Sequence, residues 1–258
     1  MILHAPSDIA FSIFGFSIYW YGLILASAVL SGVLCAEYLG KKTFIQEGFF
    51  VDNSPVLILI GLLGARLYYC VLNFSYYFNN PLEILNIRQG GLSIHGMIIA
   101  GVLAAITLVG KDKIKLLPVL DVLACAVPLA QAIGRWGNFF NSEAFGFPTN
   151  SSWGLFIPEG NRPSEYIDYE LFHPTFLYES LLNIILFCVL LQIFSKSKKT
   201  GATFFSYLIL YSIVRIFVEY IRIDSALNIS GIPIAQLVSL ILIFCGILGL
   251  FYTYKKSN

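Results

Sequence analysis

Hydrophobic runs of membrane-spanning length recur along the whole chain, and polar residues gather in the gaps between them. A spanning helix takes about 20 consecutive, mostly apolar residues. Seven stretches meet that requirement, with approximate limits 18–39, 55–73, 91–110, 115–137, 176–195, 201–221 and 233–253. Only the fourth, KLLPVLDVLACAVPLAQAIGRWG, reads as holding internal prolines, Pro118 and Pro128. Spanning helices tolerate such bends. The pattern predicts an all-α integral membrane protein of about seven transmembrane helices. No polar linker or internal repeat interrupts it, so one membrane domain over 1–258 is expected.

Composition agrees. The chain is 57% hydrophobic and 12% charged, against about 25% charged residues in soluble proteins. Its net charge of +1 offers no broad basic face, so nucleic acid is not expected as a partner. The first twenty residues contain no Lys or Arg, unlike a signal-peptide n-region, so this segment is expected to remain on the mature protein. The five cysteines lie in apolar runs without C-x-x-C spacing and read as small buried residues.

Charge then orients the spans. Every lysine falls after span one, three or five or in the C-terminal tail: Lys41 and Lys42; Lys111, Lys113 and Lys115; Lys196, Lys198 and Lys199; Lys255 and Lys256. The opposite connections hold only arginines, Arg88, Arg162 and Arg222. The positive-inside rule puts the N-terminus outside and the C-terminus in the cytoplasm. The remaining arginines, Arg66, Arg135 and Arg215, sit inside or at the end of spans, where a guanidinium is costly and usually faces a cavity or partner.

The alternating directions give these residues a common depth. Tyr21 opens the first span, and Arg66 lies past the midpoint of the second. His95 sits about one turn into the third, at 1.5 Å rise per residue. Arg135 ends the fourth. Tyr211, Arg215 and Glu219 follow one another at i, i+4 and i+8 along the outer half of the sixth, with Arg222 just beyond. Each has a plain structural reading alone: Tyr21 as an interfacial aromatic, Arg66 bonded to a helix carbonyl or lipid headgroup, Glu219 and Arg222 as an ion pair, His95 as a satisfied core histidine. Together they predict an outer-leaflet cavity with excess positive charge.

Such a cavity suits an anion, because the planar guanidinium fork matches phosphate oxygens. In the outer leaflet the nearest anion is a phospholipid headgroup. The stretch AIGRWGNFFNSEAFG, 132–146, adds Asn138 and Asn141 as neutral donors. Its Gly134 and Gly137 permit close approach, and Glu143 can hold an arginine or handle a proton. His4, His95 and His173 are far apart in sequence, and no metal-ligand spacing appears. No Walker loop, G-x-G-x-x-G or G-x-S-x-G is present. The acidic connection 138–175 is long enough to predict a cap over the site, a solvated connector being the simpler alternative.

Gly134 to Gly146, GRWGNFFNSEAFG, fits G-R-x-G-N-F-x-N-x-E-x-x-G and so resembles the signature of the bacterial prolipoprotein diacylglyceryl transferases at every fixed position. WYGL at 20–23, GGLSIHG at 90–96, HPTFLYE at 173–179 and YSIVRIFVEYIR at 211–222 are similar to that family in the same order. The family often has Gly or Ala after the His-Gly pair, where Met97 stands here. The resemblance implies transfer of the diacylglyceryl group of phosphatidylglycerol to the lipobox cysteine of prolipoprotein signal peptides. The products would be a thioether and glycerol 1-phosphate, made without a cofactor. It implies a multi-pass protein of the bacterial plasma membrane in contact with membrane lipids, with its active site toward the outer leaflet. It also implies that Arg135 and Arg215 are essential, with His95, Tyr21, Asn138, Glu143 and Gly146 as further functional positions.

The chemistry of the residues is compatible with that reaction. The thiolate is the nucleophile, and His95 is the candidate base near neutral pH, with Tyr21 or water as alternatives. Arg135 and Arg215 would stabilise charge on the departing phosphate, while Arg66, Tyr211 and Glu219 would complete the headgroup site. Two rivals remain at this level. A lipid transporter would show polar residues in broken helices, but here they gather in one leaflet. A phosphatidyl transferase acting on another alcohol would modify an acceptor without cysteine.

Overall fold

The computed structural model describes residues 2–43, 45–86, 90–112, 114–223, 228–229 and 232–255. Arg88, Lys113 and Lys256, used above to orient the spans, lie outside the described residues. A hairpin of β1 (Ile9–Ile13) and β2 (Phe16–Tyr19) leads into α1 (Trp20–Gly40). There follow α2 (Phe49–Leu72), the short α3 (Phe74–Asn79), α4 (Ile94–Lys111) and α5 (Leu116–Phe140). Strands β3 (Leu155–Phe156) and β4 (Leu171–Phe172) precede α6 (Thr175–Lys196) and α7 (Ala202–Ile221). A minimal pair, β5 (Asn228–Ile229) and β6 (Ile232–Pro233), precedes α8 (Ile234–Lys255). Among the described residues seven helices, all but α3, are long and apolar enough to cross a membrane.

The largest departure from the predicted spans is α2, which begins at Phe49 rather than at residue 55. Asp52, Asn53 and Ser54 interrupt the apolar run, and Pro55 reads as a breaker, yet all four are helical. Pro55 cannot donate to the carbonyl four residues back. Ser54 Oγ donates to that Val51 oxygen instead, at 3.0 Å. Internal proline is therefore not confined to the fourth span. Within that span only Pro128 is interior, since Pro118 falls in the first turn of α5.

Contacts divide the chain into two units, Met1–Ala36 with Leu120–Asn258, and Glu37–Val119. In the second unit α2 and α4 touch backbone to backbone. A Cβ on Gly96 would lie 2.2 Å from the Gly64 carbonyl oxygen, so only glycine permits this approach. Met97 packs at the same crossing, where a Cβ on Gly61 would come within 3.3 Å of its Cγ. Glu37 organises the α1–α2 turn by accepting from Gly48 N at 2.6 Å and Phe50 N at 3.2 Å.

In the first unit a buried carboxylate does similar work. Asp121 on α5 accepts from Gly201 N at 2.6 Å and Phe204 N at 2.8 Å, which satisfies donors that the first turn of α7 leaves open. Because α5 runs on to Phe140, the connection to α6 comprises residues 141–174. It folds around Phe145, Leu155, Ile157 and Phe172, which are buried together with Phe176 of α6. Strands β3 and β4 pair antiparallel, and the N-terminal segment joins them: Leu3 N donates to Gly154 O at 3.0 Å and Phe156 N to Leu3 O at 2.9 Å. The connection is thus ordered around a small apolar core that it shares with the start of α6.

Candidate active site

Three helix ends of the first unit converge on one carboxylate. Glu179, in the second turn of α6, is 4% exposed. Its Oε2 meets Arg135 Nε from the end of α5, and its Oε1 accepts from Arg215 Nη1 of α7 at 3.2 Å. Arg222 Nη1 stands 4.0 Å from the same Oε1. One turn along α7, Glu219 Oε2 holds Arg215 Nη2 at 2.6 Å. Three guanidiniums against two carboxylates leave one net positive charge, so most of the excess expected from the arginines is neutralised internally. Arg135 and Arg215 keep 24% and 21% of their side chains exposed, which leaves both accessible to a ligand.

The signature stretch closes this cluster with a strained turn. Ser142 and Ala144 adopt φ of 50° and 55°, a region costly for non-glycine residues and concentrated at functional sites. Thr175 Oγ1 pins the turn by donating to the Ala144 carbonyl. The bend brings Glu143 back toward α5, where its Oε1 accepts from Asn138 Nδ2 at 2.9 Å and Asn141 Nδ2 at 3.4 Å. Asn138 Oδ1 in turn accepts from Arg135 Nη1 at 3.5 Å. A chain of contacts therefore runs from Glu143 through Asn138 and Arg135 to Glu179.

Gly146 joins the ordered connection to the end of α7. Its N–H donates to His173 O at 2.9 Å, and Phe147 N donates to Ile221 O at 3.1 Å. A Cβ on Gly146 would lie 2.9 Å from the Ile221 carbonyl and 3.0 Å from His173 Cβ, so any side chain would separate these strands. Beside it, Tyr178 Oη accepts from Trp153 Nε1 at 3.1 Å and lies 3.1 Å from His173 Nδ1, which links HPTFLYE to the connection.

Tyr21 lies against the backbone of α5, where a Cβ on Gly137 would approach its ring to 2.9 Å. Tyr211 stacks on Tyr207, one turn along α7, with ring centroids 5.4 Å apart. A cleft of about 430 Å³ opens between α1, α5 and α6, on helix faces that carry Trp136 and Ser180, the sequence neighbours of Arg135 and Glu179. Apolar side chains such as Trp20, Leu129, Trp136 and Ile184 line it, together with the hydroxyl residues Ser27 and Ser180.

The other two expected site residues belong to the second unit. His95 is exposed in the first turn of α4, with its ring 6.1 Å from that of Tyr68 on α2. Arg66 is 5% exposed and spends its donors on backbone. Its Nε donates to Ile84 O at 2.9 Å, Nη1 to Gly90 O and Gly91 O at 2.9 Å each, and Nη2 to Glu83 O at 2.5 Å and Asn86 O at 3.2 Å. Gly91, at φ 74°, is bare where a Cβ would strike Arg66 Nη1 at 2.4 Å. These five bonds use all five guanidinium donors.

The structure thus gathers Arg135, Asn138, Glu143, Arg215 and Glu219 in one network, with Tyr21 and Gly146 against its supporting elements. The sequence reading left Glu179 out of the site, although it lies within HPTFLYE. A lone carboxylate inside an apolar span was the available signal.

Fold and site define a multi-pass membrane protein with a partly buried guanidinium–carboxylate network and an apolar cleft between α1, α5 and α6. Residues 8–252 match the sequence profile of prolipoprotein diacylglyceryl transferase, and the chain belongs to that family. A phosphatidylglycerol–prolipoprotein diacylglyceryl transferase of Parasynechococcus marenigrum is 44% identical, covering 98% of this chain and 96% of its own length. Similarly named proteins of Synechocystis sp. and Nostoc sp. are 42% and 41% identical, over 97% and 98% of this chain and 90% and 92% of theirs.

Proposed function

We propose that this protein transfers the diacylglyceryl group of phosphatidylglycerol to the cysteine thiol of prolipoproteins. The observation that carries the reading is the convergence of the partly exposed Arg135 and Arg215 on Glu179. Both guanidiniums keep part of their surface exposed to receive a phosphate, and the apolar cleft of α1, α5 and α6 is a setting for acyl chains. Full-length similarity to proteins named for this transfer supports the same conclusion.

The lipobox thiolate attacks the glycerol carbon that bears the phosphate ester. A C–S bond forms, the C–O bond breaks, and its electron pair leaves on the oxygen of glycerol 1-phosphate. Arg135 and Arg215 bind that phosphate and stabilise its growing charge, an effect of about 3–4 kcal/mol per donor in other enzymes. Glu179 and Glu219 hold the two guanidiniums in place. Asn138, oriented by Glu143, supplies a neutral donor, and Tyr21 and Tyr211 border the headgroup. His95 takes the thiol proton. Arg66 fixes the backbone at Glu83, Ile84, Asn86, Gly90 and Gly91, ahead of His95, and Gly146 fixes the end of α7. On this reading the N-terminus is extracytoplasmic, the lysine-rich ends face the cytoplasm, and the site opens to the outer leaflet of a bacterial plasma membrane.

Incubation of the purified protein with labelled phosphatidylglycerol and a lipobox peptide tests the proposal by mass. A diacylglyceryl adduct on the cysteine peptide, absent from its Cys→Ser form, is expected together with released glycerol 1-phosphate. A phosphatidyl adduct, or modification of the serine peptide, would overturn it.

A further inference from the structure

We infer that Gln131, Asn183 and Ser212 form a buried water-binding layer that positions the Arg135–Glu179–Arg215 cluster; the positioning role rests on the function proposed above. Each residue lies about one helical turn deeper in the bundle than a member of that cluster. Gln131 precedes Arg135 by four residues on α5, and Asn183 follows Glu179 by four on α6. Ser212 precedes Arg215 by three on α7. At 1.5 Å per residue the offset is about 4.5–6 Å. Two hydrogen bonds tie the three helices at this depth: Ser180 Oγ to Ala132 O at 2.9 Å and Gln131 Nε2 to Tyr207 Oη at 3.4 Å.

The atoms at this level are polar and sealed. Asn183 is 1% exposed and Ser212 0%. Gln131 Oε1, Asn183 Oδ1 and Ser212 Oγ are buried and have no hydrogen-bond partner among the described residues. Serines in membrane helices commonly donate to a carbonyl of their own helix. Ser27 and Ser239 do so here, to Leu23 O at 2.8 Å and Ala235 O at 2.7 Å. Ser212 does not.

The chemistry of these atoms selects the occupant. The two amide oxygens are acceptors only, whereas the serine hydroxyl both donates and accepts. A small group that both donates and accepts can satisfy each of them. Water has that valence, and buried water typically makes about three such bonds. The enclosure of Asn183 and Ser212 leaves no path for a lipid headgroup. Water here bridges α5, α6 and α7 one turn from Arg135, Glu179 and Arg215, and so sets the spacing of the two guanidiniums across their shared carboxylate.

The test uses the full-length protein in lipid nanodiscs. A high-resolution density map is expected to show spherical solvent density within hydrogen-bonding distance of Asn183 Oδ1 and Ser212 Oγ. A dry layer, or elongated density there, overturns the water site irrespective of activity. Ser212→Ala, a small change that packs easily, is expected to lower the unfolding midpoint by several degrees. It is also expected to lower kcat by about tenfold while the KM for lipid changes by less than about threefold, the split expected of misplaced catalytic groups. If the hydroxyl is merely orphaned, its removal leaves the protein as stable or more stable, and that result, or an unchanged kcat, overturns the positioning role. Asn183→Leu provides a second reading of the same two quantities.

Discussion

Glu179 accepts Arg215 Nη1 at 3.2 Å on the same carboxylate that holds Arg135, so one buried acid sets the distance between two guanidiniums carried by different helices. Removing one partner of a buried ion pair costs about 3–5 kcal/mol, because the remaining charge is stranded. Glu179→Gln keeps the shape but leaves Arg135, Arg215 and Arg222 without their shared counter-charge. Lipid transfer is expected to fall by at least about 100-fold, equivalent to about 2.7 kcal/mol, with a lower unfolding midpoint. Steady-state transfer and thermal unfolding of the purified variant measure both, and near-normal kcat would remove Glu179 from the working site.

Arg135→Ala and Arg215→Ala are each expected to abolish transfer in protein that still inserts and purifies. Arg135→Lys is the finer test. Arg135 uses Nε for Glu179 and Nη1 for Asn138, a planar fork that an ammonium cannot reproduce. Lysine is therefore expected to leave less than about a tenth of the parental kcat/KM. Full rescue would reduce the role of Arg135 to charge attraction.

Much of this arrangement was legible in the sequence, because hydrocarbon enforces simple rules. Long apolar runs gave the seven spans, and costly intramembrane charges drew attention to Arg135 and Arg215. Glu179 was harder to assign. It lies in the second turn of α6, near a helix N-terminus, where an acid is also favoured by the helix dipole, so position alone does not separate the two roles. Arg66 and Arg135 look alike in sequence, both single arginines in apolar segments. Only the placement of the carbonyls of Glu83, Ile84, Asn86, Gly90 and Gly91 distinguishes a guanidinium bonded to backbone from one paired with a carboxylate. The helical start of α2 was hidden because Pro55 reads as a breaker until Ser54 is seen to take over its bond.

Arg66→Ala tests the first of those two roles. The five carbonyls it satisfies belong to Glu83, Ile84, Asn86, Gly90 and Gly91, and none gains another donor from alanine. Amide exchange of residues 83–86 and 90–93 is expected to accelerate. Uniform exchange behaviour in variant and parent would show that the segment holds its path without Arg66.

His95→Gln removes the candidate base but keeps an amide of similar reach. An imidazole nitrogen can accept the thiol proton, whereas a carboxamide cannot act as a base. The variant is expected to transfer at least about 100-fold more slowly, the usual contribution of a positioned general base. The measurement is kcat/KM for the lipobox peptide, and a variant that keeps the parental value would assign proton removal elsewhere.

Gly146→Ala separates a structural glycine from a ligand-contacting one. The added Cβ would lie 2.8 Å from Ile221 Cγ2, 2.9 Å from the Ile221 carbonyl oxygen and 3.0 Å from His173 Cβ. Two of these atoms sit on or beside the main chain and cannot rotate away. The bonds Gly146 N to His173 O and Phe147 N to Ile221 O must therefore stretch, moving the ordered connection off the end of α7. Arg222, the next residue after Ile221, carries a guanidinium 4.0 Å from Glu179, so the shift reaches the cluster through the backbone. Overpacking of this kind costs about 1–3 kcal/mol. The variant is expected to lose transfer mainly through kcat, and proteolysis within residues 147–170 is expected to become faster. Loss of lipid affinity with unchanged proteolysis would instead place Gly146 against the substrate.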